Sequence, residues 1–131
     1  MSEIKVPISP GELLDKITIL RIKSRRMTDP AKVANVRTEL RALEETWSGS
    51  AYSKIDISAD VDALFAVNER LWVIEDDIRD QERAKDFGSE FIRLARAVYV
   101  ENDERAAIKR RINSALGSAI IEEKSYRDYK S

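Results

Sequence analysis

The chain of 131 residues suits a single domain, and a composition of 36% charged and 43% hydrophobic residues with 4 glycines favours helices over short strands. Because the sequence contains no cysteine and no histidine, it excludes disulfides, thiolate nucleophiles, imidazole metal ligands and histidine-based catalytic triads. The formal net charge of −1 gives no general basis for binding nucleic acids or anionic membranes, so any anion site depends on a local basic cluster.

The first predicted helix begins at Pro10 with Ser9 as its N-cap and runs to about Met27. Glu12 stands three residues after Ser9, where a glutamate completes a capping box. The apolar residues occupy one stripe and widen beyond it, and they are Leu13, Leu14, Ile17, Ile19, Leu20 and Ile22. This pattern predicts a helix that is buried over much of its circumference.

The second and third predicted helices follow in the middle of the chain. Asp29 is the expected N-cap of the second helix, with Pro30 at its first position, and this helix ends near Trp47. After a loop rich in small residues, the third helix runs from near Ser58 to about Lys85. At 1.5 Å per residue, the third helix is about 40 Å long.

The fourth predicted helix follows a turn at Gly88, with Ser89 as its cap, and stops at Gly117. We expect an all-α, four-helix, bundle-like single domain, with a core of about residues 8–117 and a C-terminal tail, 118–131. The sequence leaves open whether the tail is a short helix or an extended arm.

The apolar seam of the fourth helix is interrupted by one polar turn. Between Val98 and Ile108, the inward positions carry Glu101, Asn102 and Arg105. Burying an unpaired charge costs several kcal/mol, so these groups must be paired, solvated or in contact with a ligand. Three explanations remain open: a polar layer inside the bundle, a helix break at Asn102 or Asp103 that exposes the turn, or a cleft that faces a ligand.

The ligand hypothesis predicts an anion-binding polar cleft between the third and fourth helices. Its six candidate residues are Asn68, Glu75, Glu101, Asn102, Arg105 and Lys109. Arg105 and Lys109 lie one turn apart, where like charges repel unless an anion lies between them, and arginine suits bidentate contact with phosphate or carboxylate. Asn68 and Asn102 would contact hydroxyl groups. The alternative is an ordinary solvated face of mixed charge.

An enzymatic alternative is a Mg²⁺-dependent phosphohydrolase of nucleotides or nucleotide sugars, in which Glu75, Asp76 and Asp103 hold the metal. A third alternative is a structural module for protein–protein interaction, with the polar turn against another chain. The preferred interpretation requires no metal and no cofactor, and the sequence contains no nucleic-acid-binding motif.

Four stretches carry a resemblance: SPGELLDKITILRIK, ANVRTEL, LWVIEDDIRDQERAKDFGSEFIRLARAVYVENDERAAIKRRIN and LGSAIIEEKSY. Together they resemble a bacterial domain-of-unknown-function family of small helical proteins, over about Val6 to Tyr126. Members of that family often occur near, or joined to, polysaccharide and lipopolysaccharide biosynthesis proteins. The resemblance implies a bacterial or phage setting and a link to surface glycans, but it implies no reaction and no catalytic positions.

These observations predict a non-enzymatic accessory or binding protein in bacterial surface polysaccharide or sugar-nucleotide metabolism, although the sequence itself leaves enzymatic activity open. The expected partners are an anionic sugar or nucleotide, a glycosyltransferase and further copies of the chain, and nucleic acid is not among them. The N-terminus lacks the pattern of a signal peptide, and no apolar run approaches the roughly 18 residues of a spanning helix. We therefore expect a cytoplasmic protein without a membrane span.

Overall fold

The structure is a computed structural model that describes residues 2–130, and over these residues it contains helices and no strand. The helices are α1 (Pro10–Arg26), α2 (Pro30–Ser48), α3 (Ser58–Arg83) and α4 (Ser89–Ala115), with a short 3-10 helix, Ala51–Lys54, between α2 and α3. Residues 118–130, called the tail from here on, form neither helix nor strand. The expected all-α fold of four helices is confirmed, and the tail is not a short helix.

Helix α1 lies at the centre of the molecule, because it packs against each of the other three α-helices. Nine of its residues are buried and cover more than half of the circumference, while Glu12, Lys16 and Lys23 lie on the side that is not buried. Its Leu14 and Ile17 meet Leu64 of α3 and Ile108 of α4 in the main hydrophobic core. The predicted burial over most of the circumference of α1 is therefore confirmed.

Helices α3 and α4 form a long antiparallel hairpin that α1 covers at only one end. Ion pairs between Asp60 and Arg111 and between Arg70 and Glu101 mark the register of the two helices. Between residues 72 and 107, the one fully buried residue is Leu94. The end of the hairpin that contains the α3–α4 turn is thus covered on fewer sides than the end that holds α1.

The N-termini of α1 and α2 follow local capping rules, with one exception in α1. The Ser9 hydroxyl accepts a hydrogen bond from the Glu12 amide at 3.1 Å, and Asp29 accepts one from Ala31 at 3.0 Å, as predicted. The expected capping box is wrong, because the Glu12 carboxylate lies 2.6 Å from the ammonium of Lys109. The ammonium of Lys109 carries a full positive charge, which the Ser9 amide of a capping box does not, so the carboxylate pairs with the lysine.

The turn between α3 and α4 differs from the prediction. Lys85, with φ of 56°, is the residue in the left-handed region, and the Asp86 amide donates to the Gln81 carbonyl at 3.0 Å to close α3. Gly88 has an ordinary φ of −79° and is itself the N-cap, so Ser89 is the first residue of α4. The sequence signal failed here because a lysine rarely adopts the conformation that glycine favours.

The end of α4 agrees with the prediction. Gly117 has φ of 65°, and the Ser118 amide donates to the Asn113 carbonyl at 2.9 Å, which is the usual closure of a helix at glycine. Leu116, just before this glycine, is the last buried residue of the chain within the described range. Gly117 therefore separates the packed core from the tail.

Candidate functional site

The polar turn of α4 faces a buried carboxylate on α1. The side chain of Asp15 is 1% exposed, and its Oδ1 and Oδ2 accept hydrogen bonds from Arg105 Nε at 2.9 Å and Nη2 at 2.5 Å. Asn68 of α3 donates a further hydrogen bond to Oδ1 at 3.0 Å. A buried carboxylate is tolerated when it is paired and hydrogen-bonded in this way.

Two further side chains complete what we call the Asp15 network, which consists of Asp15, Thr18, Asn68, Asn102 and Arg105. Asn68 also donates to the Thr18 hydroxyl at 3.0 Å, and Asn102 accepts from Arg105 Nη1 at 3.3 Å. The hydrogen bond from Arg105 to Asp15 raises the pKa of the guanidinium, so Arg105 stays charged. The network joins α1, α3 and α4 through groups that all have partners.

Lys109 lies one turn beyond Arg105 and bridges α1 to the tail. Its Nζ donates to Glu12 at 2.6 Å and to Glu122 at 3.1 Å, and it lies 4.0 Å from Asp15 Oδ2. Burial lowers the pKa of this ammonium, but the hydrogen bonds to Glu12 and Glu122 outweigh burial and leave the pKa raised. Burial likewise raises the pKa of Glu12, and its bonds to Lys109 outweigh that effect, leaving the pKa lowered. Both groups are therefore charged.

A groove of about 1130 Å³ runs between α4 and the tail. Its lining includes five basic residues and three tyrosines, which are Arg105, Lys109, Arg110, Lys124, Arg127, Tyr99, Tyr126 and Tyr129. Four acidic residues also line it, and they are Asp103, Glu122, Glu123 and Asp128. Tyrosine presents an apolar ring with a hydroxyl at its tip, and basic side chains suit acidic groups. The groove therefore combines the two kinds of contact that an acidic sugar requires.

Charged and aromatic contacts hold the tail against α4. Glu123 accepts a hydrogen bond from Arg110 at 3.2 Å, and Lys124 donates one to Asp103 at 2.6 Å. Farther along, the rings of Tyr99 and Tyr129 meet edge to face, with centroids 4.8 Å apart. Because no residue of the tail is buried, the tail is held by surface contacts rather than by a share of the core.

The structure brings four of the six predicted site residues together. Asn102, Arg105 and Lys109 line the groove, and Asn68 reaches the Asp15 network from α3. The groove lies between α4 and the tail, whereas the sequence predicted a cleft between α3 and α4. Arg105 has its anionic partner within the chain, and so a polar layer inside the helical core is present. The alternative of a helix break at Asn102 is wrong, because α4 is continuous there.

The other two predicted site residues lie elsewhere. Glu101 pairs with Arg70 at 2.9 Å, across the α3–α4 hairpin. Glu75 pairs with Arg79 of its own helix, and its position is seven residues, or about 10 Å of helix, from Asn68. Neither glutamate lines the groove.

The carboxylates of the phosphohydrolase alternative are not gathered in one place. Glu75 faces Arg79, while Asp103 faces Lys124 of the tail. Within residues 2–130, no group of three or more acidic side chains is arranged to hold a metal ion. The arrangement that this alternative needs is therefore not formed by Glu75, Asp76 and Asp103.

Sequence reasoning missed two contacts that shape the site. The Gly11 amide donates to Asn113 Oδ1 at 2.8 Å, and a Cβ atom at Gly11 would lie 2.7 Å from the Lys109 carbonyl. A glycine in the first turn of a helix is the signal that could have indicated this close approach. Glu122 carried no such signal, because the tail has no periodicity from which to infer its contacts.

Comparison with known proteins places the chain in a family. It matches the family of unknown function DUF6165 over residues 4–131. The chain belongs to this family. No curated protein and no solved structure matches it. The expected assignment to a family of unknown function is thus confirmed for DUF6165. Among the described residues, no helix is both long enough and apolar enough to cross a bilayer.

Proposed function

We propose that this member of DUF6165 is a non-enzymatic binding or accessory protein whose ligand is an anionic sugar or sugar nucleotide. The ligand site is the groove between α4 and the tail. The single observation that carries the proposal is this groove, which joins basic side chains and tyrosines in a volume of about 1130 Å³. Ligand sites of about 300–1000 Å³ are typical, so the groove is large enough for a nucleotide sugar.

The chemistry of the lining supports an acidic ligand with sugar hydroxyls. Arg110 is an exposed cation whose ion pair is with the exposed carboxylate of Glu123, and it can exchange this partner for a ligand phosphate or carboxylate. Tyr99 and Tyr129 offer ring faces and hydroxyls to a sugar. Arg105 is committed to Asp15, so its role is to position α4 rather than to bind the ligand directly.

The biological setting is also a proposal. The resemblance to proteins found near polysaccharide biosynthesis proteins supports a role in bacterial surface polysaccharide or sugar-nucleotide metabolism, inside the cell, with a glycosyltransferase as partner. Exposed Phe87 and Ile92, at the turn end of the hairpin, offer an apolar surface for such a partner or for a second copy. Co-purification of a glycosyltransferase and the mass of the assembly in solution test these points.

Thermal melting of the full chain with UDP-glucose, UDP-glucuronate, UDP or glucose, with and without Mg²⁺, tests the ligand. A ligand at 100 times its Kd adds about 2.7 kcal/mol, which raises the melting temperature by several degrees. We expect a shift with the anionic compounds that does not require Mg²⁺. A shift that requires Mg²⁺ would favour the phosphohydrolase, and no shift with any compound would contradict the proposal.

Two neighbouring arginines provide a matched pair of variants for this test. Arg110 lines the groove and pairs with Glu123, whereas Arg111 pairs with Asp60 of α3, and the two side chains are equally exposed at 52%. We expect Arg110→Ala to abolish the ligand-induced shift and Arg111→Ala to preserve it. Equal losses in both variants would argue against a site in the groove.

A further inference from the structure

The carboxylate of Glu122 contacts two donors, Lys109 in the lining of the groove and Ser9 outside that lining. Its Oε2 accepts a hydrogen bond from Lys109 Nζ at 3.1 Å, and its Oε1 accepts one from Ser9 Oγ at 3.2 Å. With the tail in place, Ser9 is 1% exposed and the side chain of Lys109 is 14% exposed, so neither donor is a freely exposed surface group. The two oxygens of one carboxylate thus satisfy a preformed pair of donors.

Both donors, Ser9 and Lys109, also make contacts with residues outside the tail. Ser9 is the N-cap of α1 and accepts from the Glu12 amide, which leaves its single hydroxyl proton for an outside acceptor. Lys109 is held by Glu12 at 2.6 Å. Any carboxylate or phosphate that presents two oxygens at the spacing of the Glu122 oxygens can accept the same two hydrogen bonds.

The rest of the tail is held weakly. The ion pairs of Glu123 with Arg110 and of Lys124 with Asp103 join exposed or half-exposed groups, and exposed ion pairs contribute little to stability. The apolar side chains of Ile121 and Tyr126 are 57% and 84% exposed. Since Gly117 ends the packed core, the tail can leave α4 without disturbing the helices.

From these observations we infer that Glu122 is a built-in substitute for the acidic group of the ligand, so that this group and Glu122 compete for Ser9 and Lys109, and the tail segment around Glu122 leaves α4 when the ligand binds. The inference rests on the proposed function and adds to it the chemistry and regulation of the site. The acidic group is a carboxylate or a phosphate attached to a sugar. The tail is then a competitor that lowers the affinity of the site until the ligand displaces it.

Trypsin cleavage after Lys124 in the full chain reports whether the tail is docked, because Lys124 lies on Asp103 when the tail is in place. The probes are glucuronate for the carboxylate, glucose 1-phosphate for the phosphate and glucose as the uncharged control. Mass spectrometry follows release of the C-terminal fragment. We expect at least one acidic probe to accelerate cleavage several-fold and glucose to leave it unchanged. The stronger of the two acidic probes identifies the acidic group.

Glu122→Gln and Glu123→Gln form a matched pair, because each removes one negative charge from the tail but only Glu122 contacts Ser9 and Lys109. We expect Glu122→Gln to bind the acidic probe at least tenfold more tightly than the unmodified chain, and Glu123→Gln to change the affinity less than twofold. Equal changes in the two variants would indicate a general charge effect and overturn the inference.

The remaining outcomes separate this inference from the proposed function. If melting detects probe binding but the probe slows cleavage, the tail closes over the ligand, and the inference fails alone. It also fails alone if the probe binds and cleavage is unchanged, because the two sites then do not overlap. If neither the unmodified chain nor Glu122→Gln binds any acidic probe or nucleotide sugar, the proposed function fails with it.

Discussion

At the scale of single residues, Asp15 has the greatest influence on the packing of this molecule. Its carboxylate is fully buried in the most enclosed helix, yet Arg105 and Asn68 satisfy both of its oxygens. Removing one partner of a buried ion pair leaves the other charge without compensation, which is far more damaging than the loss of a surface pair. The polar turn of α4 is therefore indispensable to the fold, whatever ligand the groove binds.

Replacing Arg105 with alanine should lower the free energy of unfolding by about 3–5 kcal/mol, because the Asp15 carboxylate would stay buried without its bidentate partner. Arg110→Ala, on the exposed side of the same helix, should change it by less than about 1 kcal/mol. Urea denaturation measures both. Adding Asp15→Asn to Arg105→Ala should recover part of the loss, and a purely additive double variant would show that the two residues are not coupled.

At the scale of elements, the start of α1 lies directly against the backbone of α4. Gly11 makes this approach possible, and its neighbour Glu12 pairs with Lys109 at the same place. Helix packing usually separates two axes by 8–10 Å, and small residues are needed where backbones approach closely. A steric contact and an ionic contact therefore fix the same junction.

Gly11→Ala should destabilise the protein by about 1–3 kcal/mol, because the new Cβ atom would lie 2.7 Å from the Lys109 carbonyl and would force the helices apart. Gly49→Ala is a suitable control, since its Cβ atom would meet nothing closer than 3.4 Å and its φ of −80° is ordinary for alanine. Thermal melting compares the two. If both glycines tolerate alanine equally, α1 and α4 are not tightly packed at Gly11.

The ionic contact at the same junction should make stability depend on pH. The pKa of Glu12 is lowered in the folded protein from its ordinary value of 4.5, so the folded state binds fewer protons than the unfolded state near that pH. The ionised Glu12 therefore stabilises the fold above pH 4.5, and this stabilisation is lost as the pH falls through the lowered pKa. Urea denaturation between about pH 3 and pH 6 should show that the free energy of unfolding depends less on pH in Glu12→Gln than in the unmodified chain. An unchanged dependence would mean that other carboxylates account for it.

The sequence predicted those elements whose signals are local. The caps at Ser9 and Asp29 involve neighbouring residues, so capping rules identified both helix starts. The α3–α4 turn was placed wrongly, because Lys85 occupies a conformation that runs against its own preference. The polar turn of α4 was also visible in the seam. Its partner Asp15 was not, since the ion pair joins residues 90 positions apart and depends on the tertiary fold.

At the scale of the whole molecule, the two ends of the α3–α4 hairpin are covered unequally by other helices. Helix α1 fills the space beside one end of the α3–α4 hairpin, and the core residues Leu64, Val67, Ile108 and Ile112 lie there. The other end, around the turn, exposes Val73, Phe87 and Ile92. Segments with few buried contacts open more readily than the core, so the two ends of the same helices should differ in local stability.

Native-state hydrogen exchange measures this gradient along α3. Amides near Leu64 and Val67 should exchange through global unfolding, whereas those from Asp76 to Arg83 should exchange at least tenfold faster through local opening. Equal protection along the helix would mean that the turn end is covered in solution. In that case, protection that falls on dilution would identify a second copy as the cover.

The distance in sequence between Asp15 and Arg105 also affects how the protein is made. Helix α1 is synthesised early, but its buried acid has no guanidinium until Arg105 follows, 90 residues later. At about 5–20 residues per second, translation leaves this interval open for about 5–18 s. During that time the apolar sides of α1 cannot be packed as they are in the finished fold. The finished packing of α1 therefore forms only after Arg105 of α4 has been synthesised.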